Sequence, residues 1–151
     1  MKYRVFFVVA VCLAMAACGS APVARQIQSS FPVDQPFEKV WTAVIETFAE
    51  LNLPILNMEK ASGFITTDWL NPDSSFYDCG TPPFSTARRG TLGKFNVFVK
   101  KISDSSCEMK VNCLFDLTIF YTGPGGAKKY SCVSTGKLEK QIYDRVLAIS
   151  K

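Results

Sequence analysis

The 151-residue chain contains no histidine. That absence removes the Ser-His-Asp and Cys-His mechanisms, in which imidazole carries the proton, and the His-containing zinc sets. No Cys-x-x-C pair occurs, so the usual cysteine spacing of a zinc site is missing too. Charge of one sign is not in large excess, with 17 Lys and Arg against 13 Asp and Glu. Such a balance provides no basic stripe of the kind nucleic-acid binding requires, so no nucleic-acid partner is expected. Internal repeats and low-complexity tracts are absent. The Gly123-Pro124-Gly125-Gly126 cluster lacks the following Lys-Ser and helix of a phosphate loop and reads as a turn. The apolar run Val5 to Ala17 is shorter than the ~20 residues of a transmembrane helix.

That run has a different character. Lys2 and Arg4 precede it, and Ala16 and Ala17 close it just before Cys18. Cationic head, apolar core and small residues form the layout of a secretory signal. Small residues followed by cysteine resemble the bacterial lipobox. There the cysteine thiol takes a diacylglycerol and becomes the first residue of the mature chain. The expectation is a cleaved signal over 1–17, a lipidated Cys18 with a short tether over 18–25, and one domain over 26–151. Two or more acyl chains suffice for stable anchoring to a membrane. Gly19, where an Asp would signal retention in the inner membrane, favours the outer membrane; its periplasmic face is the expected side, though no residue names the leaflet.

Removing residues 1–17 leaves 134 of the 151 residues, one domain with room for a real core, and lowers the basic excess from four to two. The pairs Arg88-Arg89, Lys100-Lys101 and Lys128-Lys129 are ordinarily solvated surface; contact with anionic lipid or peptidoglycan is the alternative.

Periodicity organises the domain. Arg25 to Val33 alternates weakly and suggests a first strand. Asp34 is placed to cap a helix, with Pro36 in its first turn. Phe37, Val40, Trp41, Val44, Ile45, Phe48 and Leu51 then recur at helical steps until Pro54. Ile55–Glu59 and Phe64–Leu70 predict a hairpin across Lys60-Ala61-Ser62-Gly63. Residues 71–90 form a long irregular segment, a length uncommon unless functional or tied down. Leu92–Ile102 alternates, with Phe95, Val97 and Val99 facing one way. After a turn at Asp104-Ser105-Ser106, the alternation runs from Met109 to Tyr121 and predicts the clearest strand. Lys128–Val133 reads as an edge strand. Ser134 or Thr135 then caps a last helix burying Leu138, Ile142, Val146 and Ile149. One-sided helices and strands make two layers. The predicted fold is α+β: a single antiparallel sheet with two helices packed on one face.

Six cysteines are present, of which Cys12 leaves with the signal. Cys79, Cys107, Cys113 and Cys132 remain in an exported domain, where disulfides persist. Cys107 and Cys113 lie about 20 Å apart on one straight strand, beyond the reach of a bridge. Cys113 falls on the apolar face and reads as a small core residue. Cys79–Cys132 is the expected bridge, pinning the long segment; Cys79–Cys107 or free thiols are the alternatives. No activator for a cysteine nucleophile is apparent. Asp68, Asp73, Asp78, Asp104 and Asp116 include enough carboxylates for a glycosidase pair, but each sits where a turn or strand surface carries a solvated acid anyway. Neither an enzyme nor a cofactor or metal is expected. Phe98, Leu114 and Phe120 lie on the strand face opposite the helix-covered one. The simpler expectation folds the long segment over them through Phe76, Tyr77 and Phe84; otherwise the six mark a binding surface.

Pro36-Phe37-Glu38-Lys39-Val40-Trp41-Thr42-Ala43-Val44, Leu53-Pro54-Ile55 and Lys60-Ala61-Ser62-Gly63-Phe64-Ile65-Thr66-Thr67-Asp68-Trp69 resemble the repeated domain of BamC-like outer-membrane lipoproteins. The likeness covers residues 26–70 and continues beyond by topology. It implies a helix-grip fold and an accessory place in the machinery that inserts β-barrel proteins. One such domain is present here where the best-known member has two, and the Cys79 and Cys132 segments are additions. No functional residue is implied beyond the lipidated Cys18. The resulting expectation is a membrane-anchored binding or scaffold module with an envelope protein partner. A disulfide-tied inhibitor of an envelope-attacking enzyme is one alternative, though two capping helices do not suit it. A carrier of an apolar ligand between sheet and helices is another, and it requires an internal cavity.

Overall fold

The two long strands that the alternation predicts dominate the sheet. In the computed structural model, which describes residues 20–81, 88–121 and 126–151, β5 (Arg88–Lys101) and β6 (Cys107–Phe120) pair antiparallel along their whole length. Residues 1–17, expected to be a signal, Cys18, Phe84 and residues 123–125 of the expected turn lie outside the described residues. β5 starts at Arg88, earlier than the expected Leu92. Arg88–Thr91 carry no apolar alternation of their own. Their partners Leu117 and Ile119 on β6 do, and cross-strand pairing extends the ladder. Gly93 follows on the same strand, where a Cβ would come within 3.2 Å of the rings of Phe95 and Phe115, which meet edge to face.

Five shorter strands complete the sheet. These are β1 (Ser30–Val33), β2 (Ile55–Glu59), β3 (Phe64–Thr67), β4 (Tyr77–Asp78) and β7 (Ala127–Ser134). The order is β2-β3-β5-β6-β7-β4. The far side of β6 is shared: β1 takes its start, from Val33↔Cys107 to Ser30↔Lys110, and β7 takes its end. β1 is shorter than the expected 25–33, because residues 20–25 lie against another part of the domain. The β2–β3 hairpin turns as predicted, and Gly63 (φ +68) is required there: a Cβ would meet the Val99 carbonyl oxygen. The predicted irregular segment after Leu70 holds a short 3-10 turn, Ser74–Phe76, capped by Asp73.

Helix α1 spans Phe37–Glu50 and buries Val40, Trp41, Val44 and Phe48. Asp34 does not cap it. Pro36 takes that position, and its carbonyl accepts from the amides of Lys39 and Val40. The helix stops at Asn52 (φ 53) before Pro54 is reached: Leu53 N–H donates to Phe48 O at 2.8 Å and Asn52 N–H to Ala49 O. This paired arrangement around a left-handed residue closes the orphan carbonyls. Helix α2 spans Lys137–Ile149, with Leu138, Ile142 and Val146 buried and Ile149 partly so. Neither Ser134 nor Thr135 caps it; Gly136 (φ +80) does, and Thr135 Oγ1 instead donates to Ser75 O. α1 and α2 pack on each other, and Arg145 grips Glu50 through two hydrogen bonds between them. One core joins both helices to Phe95, Val97, Val99, Met109, Val111 and Phe115 of the sheet.

Candidate functional site

Two places in this frame carry the residues singled out by sequence. The first is a corner at β4. Tyr77↔Ser134 and Asp78↔Val133 are consecutive rungs, so Cys79 follows beside Cys132, and the two are joined with Cα atoms 4.3 Å apart. The bond closes a separation of 53 residues, and the chain-entropy relation assigns such a loop about 4 kcal/mol. Cys107 and Cys113 are free thiols.

Residues 20–25, expected to be a spacer, are held against this corner. Thr81 N–H donates to Ser20 O at 2.9 Å. Gly80 (φ +66) lies beneath the segment, where a Cβ would stand 2.2 Å from Ser20 O. Asp78 accepts from Gly80 N at 2.9 Å and Val23 N at 3.4 Å, with Arg25 at 3.8 Å. Those amide hydrogen bonds, Gly80's first, hold the Asp78 carboxyl below the usual carboxylate range. Sequence reasoning missed this docking because Gly-Ser-Ala-Pro has no periodicity; Asp78 and Gly80 two residues apart were the available signal.

Behind the corner lies a buried polar group that sequence reasoning also missed. Glu139, 3% exposed, accepts from Ser134 Oγ at 2.9 Å, and Ser134 Oγ accepts from Gly136 N–H at 3.0 Å. Cys113 faces Glu139. Burial above all, then the carboxylate's charge and hydrogen bonding, pushes the thiol's pKa up. A thiol held protonated is a poor nucleophile and behaves as a core residue. An acid adjoining Leu138 on the apolar stripe of α2 was the only hint.

The aspartates named above serve local structure. Asp73 accepts from Ser75 N–H, Asp68 from Trp69 N–H, Asp104 pairs with Lys101 at 2.7 Å, and Asp116 stands opposite Leu92 on the strand surface.

The second place is the face of the sheet away from the core. Phe98, Leu114 and Phe120 are 37%, 51% and 48% exposed, and Leu92 joins them. Phe76 and Tyr77 do not fold over them. Both pack against the core instead, with the Tyr77 ring 5.4 Å from that of Phe115. The apolar side chains stand in separate spots along the strands. Phe98 pairs with Phe64, the Asn96↔Asn112 rung follows, and then Leu114 faces Lys94 diagonally beside Leu92. Phe120 stands at the far end, opposite Arg88.

A groove of about 800 Å3 runs between residues 26–28 and α2, walled by Ile27, Phe31, Tyr143 and Ala148. Its lining combines the segment before β1, Phe31 of β1, Leu51 and residues of α2. The chain matches no protein-family profile and no curated protein.

Proposed function

We propose that the protein is a bacterial envelope lipoprotein, anchored through Cys18, whose domain acts by contact and not by catalysis. Its role is that of a scaffold or accessory module in outer-membrane protein biogenesis, as the likeness to BamC-type domains suggests. One observation carries the contact reading: large apolar side chains, Leu92, Phe98 and Leu114, stand exposed on the outward sheet face between Lys94, Lys110 and Asn residues. Apolar side chains interleaved with polar ones on one exposed sheet face suit a protein partner that reads both. The absence of histidine and the elevated pKa of the Cys113 thiol are in keeping with a domain that does no chemistry.

In-cell photo-crosslinking tests this reading. A photoreactive residue at position 98 or 114 is expected to capture a component of the β-barrel insertion machinery, and one at Lys140 on α2 is not. Capture from Lys140 alone, or of no envelope protein from either face position, would overturn it.

A further inference from the structure

The lysine and arginine pairs are distributed unequally between the two ends of the sheet. At one end basic residues meet acids: Lys101 pairs with Asp104, Lys60 with Glu38 at 2.6 Å, and Lys100 stands opposite Glu108. At the other end the ladder brings together Arg88 and Arg89 with Ile119 and Phe120, and these with Lys128 and Ala127. Arg89, Lys128 and Lys129 are exposed there, and none forms an ion pair among the described residues. Aromatic residues lie among them. Phe120 is exposed, the Tyr121 and Tyr130 hydroxyls meet at 3.3 Å, and Lys128 Nζ stands 5.9 Å from the centre of the Tyr121 ring.

The N-terminal segment leads to this same end. The Asp78↔Val133 rung and the Cys79–Cys132 bond set Cys79 beside Cys132, two residues from Tyr130 on β7. Ser20 pairs with Thr81, and Gly80 shares a pocket wall with Arg89. Only Gly19 separates Ser20 from Cys18, so the two Cα atoms lie within about 7 Å of each other.

We infer that this basic, aromatic end of the sheet is a docking surface for anionic phospholipid headgroups. It rests on Cys18 being the lipidated residue. Acyl chains on Cys18 enter the bilayer within a short reach of Ser20. Basic side chains near an anionic surface each favour partition roughly five-fold, and tyrosines favour the headgroup level. With residues 20–25 docked on the corner, the domain stands end-on, strands rising from the membrane. The Asp104 turn then points away, about 40 Å along β5 at the usual rise per residue. Phe98 and Leu114 are held clear of the bilayer for a partner.

The test uses the full-length protein, purified from membranes and reconstituted in nanodiscs of equal phosphatidylglycerol and phosphatidylcholine with a gadolinium-headgroup lipid. Amide signals of Gly90, Thr118 and Lys129 are expected to broaden strongly, and those of Ser62 and Ser105 to persist. That contrast should weaken several-fold in phosphatidylcholine discs and in the K128E/K129E variant, where the anchor acts without the charge attraction, and be kept in K100E/K101E. Equal broadening at both ends, or stronger broadening at Ser62 and Ser105, would overturn the inference, as would a contrast indifferent to lipid charge. Failure of the anchor itself is read separately: a wild-type protein that takes up no alkyne fatty acid at Cys18 refutes Cys18 as the anchor, whatever the broadening shows.

Discussion

Thr47 lies fully buried in α1 with its hydroxyl lacking a partner among the described residues. Burying an unpaired hydroxyl is unfavourable, and valine has nearly the same shape. Thr47→Val is therefore expected to stabilise the domain by about 1 kcal/mol, read as a raised midpoint in thermal or urea unfolding. Gly63 should behave in the opposite way. Its positive φ and the Val99 carbonyl leave no place for a methyl group, so Gly63→Ala should cost about 2 kcal/mol or more. Cys113 should resist a thiol reagent in the native protein and react only on unfolding, because burial and Glu139 keep it protonated. These environments were only partly legible in the sequence. Gly63 stood in a recognisable turn and Cys113 on an apolar face. Glu139 gave no such sign, because its burial arises where β6 and α2 meet, far apart in the chain.

The strongly periodic elements were legible, and their ends were not. The stripe from Phe37 to Leu51 and the alternation along β6 each match one period over many residues. The caps failed because Asp34 and Thr135 are typical capping residues whose side chains the fold uses or leaves elsewhere; Pro36 and Gly136 hold the turns by backbone geometry. β5 begins early because Leu117 and Ile119 draw Arg88–Thr91 into register. The Cys79–Cys132 bridge was legible from compartment and strand geometry together. Reducing it is expected to lower stability by about 4 kcal/mol, with matching loss in a Cys79→Ser/Cys132→Ser variant. The docked segment 20–25 should respond to pH through Asp78. Its pKa is depressed in the folded state, so its contribution is present above the ordinary carboxylate value near 4 and is lost as pH falls below it. Protection factors against hydrogen exchange at Val23 and Gly80, taken relative to the intrinsic rate at each pH, should fall in that acid range, and Asp78→Asn should show the lost protection at neutral pH.

Across the whole molecule, the two faces and two ends of the sheet differ in what they expose. The core face is filled by α1 and α2, and the outward face presents Phe98 and Leu114. One end gathers Arg89, Lys128 and Lys129 beside the segment that follows Cys18. That gathering was not legible in the sequence, because Arg88-Arg89 and Lys128-Lys129 flank β6 and meet only through its two ladders. Read one at a time, each pair is ordinary surface. The proposed anchored role turns on Cys18, which the lipobox-like run Ala16-Ala17-Cys18 marks. Labelling cells with an alkyne fatty acid and comparing the wild type with Cys18→Ala is the most direct test. The wild type should carry the label and fractionate with the outer membrane, and the variant should carry none and lose its outer-membrane fractionation. A Cys18→Ala protein that keeps the label, or a wild type that never takes it, would contradict the anchored-module reading.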